Sequence, residues 1–205
     1  MEMGGKEIVV AVCGASGSIY ALRLLAMLAE MPVGVHLVIS AAGRAVMETE
    51  TDFRGGSMVA YLKGEGIAFH EGGLLKEYHP DDFYAPPASG SFRHSGMVIL
   101  PCSMNTLAAV SAGMTGNLVH RAADVCLKEK RTLILATRET PLNRIHIRNM
   151  DAAAAAGATI MPLSPGFYFR PASIDELVDA MVDRILQHLG IGRPGGRQWG
   201  VDPIG

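Results

Sequence analysis

The segment EIVVAVCGASGSIYALRLLAMLAE, residues 7–30, decides the fold. Residues 8–13 are small or β-branched and apolar, without polar alternation, as in a strand covered on both faces. GASGS (14–18) forms a glycine-rich turn, and a run rich in Leu, Ala and Met then favours helix. Strand, tight turn and helix in this order open a βαβ unit.

The alternation repeats along the chain. Residues 33–40 read as a second strand and 41–50 as a helix that Ser40 is placed to cap. Residues 96–101 form a third buried strand, followed by helices over 105–113 and 117–130. A fourth strand spans 131–139. A helix over 143–156 is stopped by Gly157, and a fifth strand spans 159–164. Ser173 and Glu176 stand at capping-box spacing before a last helix whose apolar positions, Ile174 to Leu189, make one stripe. Residues 51–95 read as loops with one or two short helices or strands, and a loop of that length is usually functional. The pattern predicts an α/β fold, a three-layer Rossmann-like (flavodoxin-like) parallel sheet with helices on both faces. It is expected to be a single domain over 1–205, with 193–205 a Gly/Pro-rich tail.

Hydrophobic residues make up 49% of the 205 and charged ones only 19%. So few charges to cover a surface predict a homo-oligomer. The net charge of −2 comes without a basic stripe, which argues against nucleic acid. The seven histidines form no H-E-x-x-H pair, so zinc is not expected. Cys13, Cys102 and Cys126 lie in apolar contexts and read as reduced, buried thiols of a cytoplasmic protein. The first apolar run is too short for a signal peptide, and none reaches membrane-spanning length, so no membrane is expected.

In such folds ligands bind beyond the carboxyl ends of the strands. Those ends carry GASGS, Ser40, PCSMNT (101–106), Arg138–Glu139 and SPGFY (164–168). GASGS has neither G-x-G-x-x-G spacing nor a P-loop lysine, so it is either a plain βα turn or a weak anion cradle. Cys102 has no CxxC partner and no basic neighbour, and reads as a filler. Ser103, Asn105 and Thr106 bring hydroxyls and an amide to a helix start. Arg121 and Lys128 share one helix face, roughly 10 Å apart along the axis; they either hold phosphate or form a solvated face paired with Asp124. Arg138–Glu139 would be costly to bury without a purpose. The arginine suits a phosphate clamp and the glutamate a proton transfer. Glu48 and Glu50 end a helix against its macrodipole, so they either serve another need or are simple surface acids. Nothing local decides the roles of Tyr168 and Arg184.

Taken in order, GASGSIYALRLL, HLVIS, ETET, APPASGS, ILPCSMNTLAAVSAG, NLVHRAADVCLKEKRTLIL, RETPL, HIRNM, AGATIMP and PGFY resemble the flavin prenyltransferases of the UbiX/Pad1 family. That family lies within the homo-oligomeric flavin-containing cysteine decarboxylase superfamily. The resemblance implies that a dimethylallyl group passes, without a metal, from dimethylallyl phosphate to N5 and C6 of reduced FMN. The product, prenylated FMN, would serve a partner UbiD-type decarboxylase. It further implies that Gly14, Ala15, Ser16, Ser40, Ser103, Met104, Asn105, Thr106 and Arg138 contact FMN. Arg121, Lys128, Arg138, Tyr168 and Arg184 would gather at the donor phosphate, some from a neighbouring subunit of a dodecamer. Glu139 and Glu50 would transfer protons, and Ser16 would lie near N5. Two departures stand out: Phe83–Tyr84 where relatives commonly have Trp before APPASGS, and Phe169 where many have His. Trp199 lies in a tail that in relatives reaches over the site. The alternatives are an FMN-dependent cysteine-type decarboxylase and a non-catalytic flavin-binding subunit of an aromatic-acid decarboxylase.

Overall fold

In the computed structural model, which describes residues 6–192, the strands are β1 (Lys6–Val12), β2 (Val33–Ile39), β3 (Leu74–Tyr78), β4 (Gly96–Cys102), β5 (Thr132–Thr137) and β6 (Thr159–Ile160). They form one parallel sheet in the order β3-β2-β1-β4-β5-β6. This is the doubly wound order, in which the chain moves outward to either side of β1 and β4. Without β3, the five strands expected from sequence stand in the flavodoxin order. The sixth, LLKEY, is an edge strand that is only partly buried, so it lacks the continuous apolar run that marks its neighbours.

Side chains alternate across the sheet. Ile8, Val10 and Val12 enter one core, packed by α1 (Ser18–Ala29), α2 (Ala41–Glu50), α3 (Met58–Gly64) and α7 (Ile174–His188). Val9 and Ala11 enter the other, under α4 (Met104–Ser111), α5 (Leu118–Lys128) and α6 (Arg144–Ala155). Leu24, Leu25 and Leu28 of α1 are fully buried, each contributing about 1.5–3 kcal/mol by transfer out of water. Arg23 is fastened to Asp179 of α7 through two bonds, at 2.5 and 2.9 Å.

The connection from β3 to β4 is irregular, holding only a 3-10 turn at Pro86–Ala88. It runs along α5, with the Leu118 amide bonded to the Pro80 carbonyl at 2.7 Å. The fifth expected strand is shorter than 159–164 because Pro162 has no N–H. Pairing nevertheless continues on both sides of it, from Met161 to Leu135 and from Leu163 to Thr137. Ser173 caps α7 through the Glu176 amide, but the Glu176 carboxylate turns to Ala172. A full capping box forms instead at Asn143–His146 on α6. The tail at 193–205, with Trp199, lies outside the described residues.

Tyr84 is fully exposed, and Met114, Ile145, Ile147, Phe167, Tyr168 and Ile174 are each more than half exposed. So much bare apolar surface matches the shortage of charges in the sequence. No helix among the described residues is long and apolar enough to cross a membrane.

Candidate active site

The two halves of the sheet part at β1 and β4, and the carboxyl ends of these strands open the crevice. The Cys13 amide bonds the Pro101 carbonyl at 3.2 Å, and the Ser40 amide bonds that of Val12 at 3.0 Å. The start of α2 is pressed onto the first loop. A Cβ on Gly14 would lie 2.6 Å from the Ala42 Cβ, and one on Gly43 would lie 2.6 Å from the Val12 carbonyl oxygen. Gly17 has φ 114°, a conformation that L side chains rarely adopt, so it demands glycine for its backbone as Gly14 does for space.

Glu50 explains itself here. Its carboxylate Oε2 accepts the Gly17 and Ser18 amides, both at 2.9 Å, and the Ser16 hydroxyl stands beside the carboxylate and favours its charged form. An acid unfavourable at the end of its own helix thus caps the start of another, where the macrodipole favours it. Burial pushes the carboxyl up, but the donors of Ser16, Ser18 and Gly17 outweigh it and hold it below its ordinary range. The two leading amides at the start of α1, Gly17 and Ser18, are therefore taken by a carboxylate, which disfavours a second anion there. What remains open beside it are the first turns of α2 and α4, whose leading amides have no acceptor within their helices.

Ser40 caps α2 through the Gly43 amide at 3.0 Å. Ser103 caps α4 through the Thr106 amide at 3.3 Å and donates to the Thr106 hydroxyl oxygen at 3.1 Å. Thr106 is buried, Ser103 and Met104 are half-buried and Asn105 is exposed. Asn105 borders an open hollow of about 750 Å³ between α4 and α6, which Met114, His120 and Arg148 also line. Cys102 is fully buried and its thiol is raised well above its ordinary value, chiefly by burial. Burial also pushes Cys13 up to about 11, against a bond from Thr106, and Cys126 up to about 12. None of the three offers a thiolate near neutrality.

Arg138 and Glu139 stand at the end of β5, but both are exposed, so the expected cost of burying them does not arise in a single chain. Glu139 accepts the Thr140 amide at 2.9 Å. Both residues line a cavity of about 290 Å³ with Thr137, Leu142, Leu163 and Ser164. Tyr168, four residues beyond Ser164, is exposed and edge-on to Phe169, with ring centroids 5.6 Å apart.

The remaining residues expected at the site stand elsewhere. Arg121 and Lys128 lie on α5, which runs away from the crevice to the amino end of β5. Arg121 binds Asp124 at 2.8 Å as the solvated alternative requires, but Lys128 binds Glu129 at 2.7 Å rather than Asp124. Arg184 lies on α7, across the sheet from α5, exposed and bonded to Gln187. One chain thus unites Gly14, Ala15, Ser16, Ser40, Glu50, Ser103–Thr106, Arg138 and Glu139 at one edge. It turns Arg121 to Ala88 and Asp124 and does not bring Lys128 or Arg184 to them. Arg131, which the sequence did not single out, bonds the backbone of residues 90 and 92. Its partners lie about forty residues away along the chain, so no local signal marks it. No group of three or more His, Cys, Asp or Glu among the described residues is placed to hold a metal ion.

Donors and acceptors at the crevice fit a flavin mononucleotide. Hydroxyls and helix-start amides suit its phosphate, and the side chains of Met104 and Asn105 offer an apolar face and an amide for a ring edge. A model of the family described as Flavoprotein matches residues 1–186. The flavin prenyltransferase UbiX of Pseudomonas aeruginosa is 45% identical over 202 residues, 96% of this chain and 95% of that one. Among solved structures, a dodecameric FMN-dependent UbiX-like decarboxylase from Escherichia coli superposes with a TM-score of 0.84 at 40% identity, covering 94% of this chain and 98% of that one. AnUbiX, in complex with FMN and dimethylallyl pyrophosphate, superposes with a TM-score of 0.80 at 38% identity, over 95% and 100% of the two chains.

Proposed function

Because the chain belongs to the flavoprotein family, and within it to the UbiX-type flavin prenyltransferases, we propose that it joins a dimethylallyl group from dimethylallyl phosphate to reduced FMN and releases prenylated FMN. The observation that carries this reading is the meeting, at the switch point of the sheet, of the Ser16–Glu50 pair, the Ser103–Thr106 cradle and the Arg138–Glu139 cavity.

Reduced FMN supplies the nucleophilic atoms N5 and C6. Gly14, Ala15, Ser40, Ser103, Met104, Asn105, Thr106 and Arg138 hold it. Its phosphate is served by the starts of α2 and α4 rather than α1, whose two leading amides Glu50 occupies. Glu50 is a carboxylate near neutrality, so its task is to accept a proton, through the Ser16 hydroxyl beside it, as the new ring closes. Glu139 donates a proton to the departing phosphate oxygen. Arg121, Lys128, Tyr168 and Arg184 bind that phosphate. Cationic groups aimed at the leaving anion stabilise the charge that develops there.

One chain sets the residues of the donor pole apart, since Lys128 closes the far end of α5, Arg121 is turned to Ala88 and Asp124, and Arg184 lies across the sheet. Copies of the chain supply these residues to each other, in a homo-oligomer, and a dodecamer like that of the Escherichia coli relative fits the exposed apolar surface. Phe83 and Tyr84, in place of the usual tryptophan, keep an exposed aromatic surface for such a neighbour. The functional partner is a UbiD-type decarboxylase, and the buried thiols suit a reducing cytoplasm. A cysteine-type decarboxylase with an early catalytic histidine is disfavoured, because His36 is buried within β2 and bonded to Glu7 and Tyr78 at 2.8 Å each.

The test is incubation with reduced FMN and dimethylallyl phosphate, with the diphosphate in parallel, followed by mass analysis of the flavin. A flavin heavier by one five-carbon unit is expected; no such species with either donor refutes the reading. Glu139→Ala is expected to retain flavin and lose conversion. A binding subunit would show no conversion before or after the change.

A further inference from the structure

α5 ends in a turn that aims one side chain. Lys130 adopts φ 54°, the Lys130 amide bonds the Leu127 carbonyl at 3.2 Å, and the Arg131 amide bonds that of Cys126 at 2.8 Å. This is a Schellman closure with a lysine in the left-handed position usually given to glycine. It brings the Arg131 guanidinium against the irregular β3–β4 connection. Nη1 donates to the Phe92 carbonyl at 2.7 Å and Nη2 to the Gly90 carbonyl at 2.6 Å. Arg121 Nε donates to the Ala88 carbonyl at 3.0 Å. Carbonyls 88, 90 and 92, which have no strand or helix partner, are thus held by two guanidinium groups. The held segment presses on Lys128: a Cβ on Gly90 would lie 2.8 Å from its Nζ and 2.4 Å from Glu129 Oε1.

We propose that Arg131 is a positioning residue for the prenyl donor. It does not touch the donor but locks residues 88–92 against Lys128, so that the Lys128 ammonium and the Arg121 guanidinium meet the phosphate in one fixed arrangement. The inference rests on the reading of Arg121 and Lys128 as phosphate ligands. A planar guanidinium suits the task because two donors in a rigid fork meet two carbonyls at once. A lysine ammonium is a single flexible point that does not reproduce the fork.

The experiment compares Arg131→Lys, Arg131→Ala, Lys128→Ala and the double variant Arg131→Lys/Lys128→Ala. It measures KM for dimethylallyl phosphate, kcat at saturating donor, and the Kd for FMN by fluorescence titration. Arg131→Ala is expected to raise the donor KM about tenfold or more, as misplacement of a binding group by a fraction of an ångström does. Arg131→Lys is expected to fall between it and the wild type, with kcat and FMN affinity near wild type in both. The double variant is expected to raise the donor KM by less than the product of the two single effects, since one of the two groups being positioned is gone. A donor KM unchanged by both Arg131 variants while Lys128→Ala raises it overturns the proposal and leaves the functional reading standing. A donor KM unchanged by Lys128→Ala as well refutes the reading of the phosphate pole and the proposal with it. Additive effects in the double variant, or FMN affinity lost in step with donor affinity, show Arg131 to be an architectural anchor and likewise overturn the proposal.

Discussion

Replacement of Glu50 isolates a contact that links two helices and a proposed proton path. The α1 N-cap residue is Gly17, which has no side-chain cap, and the first turn of α1 contains no acid. Glu50 therefore supplies both the hydrogen-bond acceptor and the negative charge at this helix start. Glu50→Ala removes both and is expected to destabilise the chain by about 1 kcal/mol, within the ~0.5–2 kcal/mol measured for lost caps. Glu50→Gln keeps an acceptor oxygen and loses the charge, for a cost of about 0.3–1 kcal/mol. For a chain of this size each kcal/mol moves the melting temperature by about 2–4 °C. The pH dependence has a fixed sign. The folded-state carboxyl lies below its ordinary range, so its contribution is fully present above the unfolded glutamate pKa of about 4.3 and is lost as pH falls through the lower folded value. Thermal unfolding at pH 7 is expected to rank wild type above Gln and Gln above Ala. The wild-type advantage over Gln is expected to shrink as the pH is lowered below about 4. Equal melting temperatures at pH 7, or a wild-type advantage over Gln that grows on acidification, would refute the capping argument.

Two further outcomes follow from packing. All three cysteines are buried with raised thiol pKa values, so an aromatic disulfide reagent at pH 8 should titrate essentially no thiol in the native protein and three in denaturant; rapid native labelling would contradict the burial. Gly43→Val places a side chain whose Cβ alone would lie 2.6 Å from the Val12 carbonyl oxygen, and overpacking against backbone is expected to cost about 1–3 kcal/mol and weaken FMN binding, read by denaturant melts and flavin titration.

How far the sequence reaches depends on the range of the interaction. The buried strands β1, β2, β4 and β5 were legible because a strand covered on both faces must be apolar throughout, and β1 with its glycine turn is already diagnostic. Edge strand β3 was not, since one exposed side permits the polar residues of LLKEY. Ser40 and Ser173 were legible as caps because a cap bonds an amide three residues on. Glu50 showed only as an acid at the wrong end of a helix; its partner lies more than thirty residues earlier. Arg138 and Glu139 were correctly placed at the end of a central strand but wrongly expected to be buried, because burial there depends on what covers the edge.

By itself the sequence determined the layered parallel fold, the end of the sheet that carries the crevice, and the family, because hydrophobic period, helix caps and contiguous motifs are local properties of the chain. Tertiary structure decided which charges meet. It gave two leading α1 amides to Glu50, paired Lys128 with Glu129, clamped residues 88–92 with Arg131, and set the proposed phosphate ligands on α5 and α7, on opposite faces of the sheet. Such contacts arise between residues distant along the chain, where no periodicity or spacing records them, and only the folded backbone brings them within hydrogen-bonding distance.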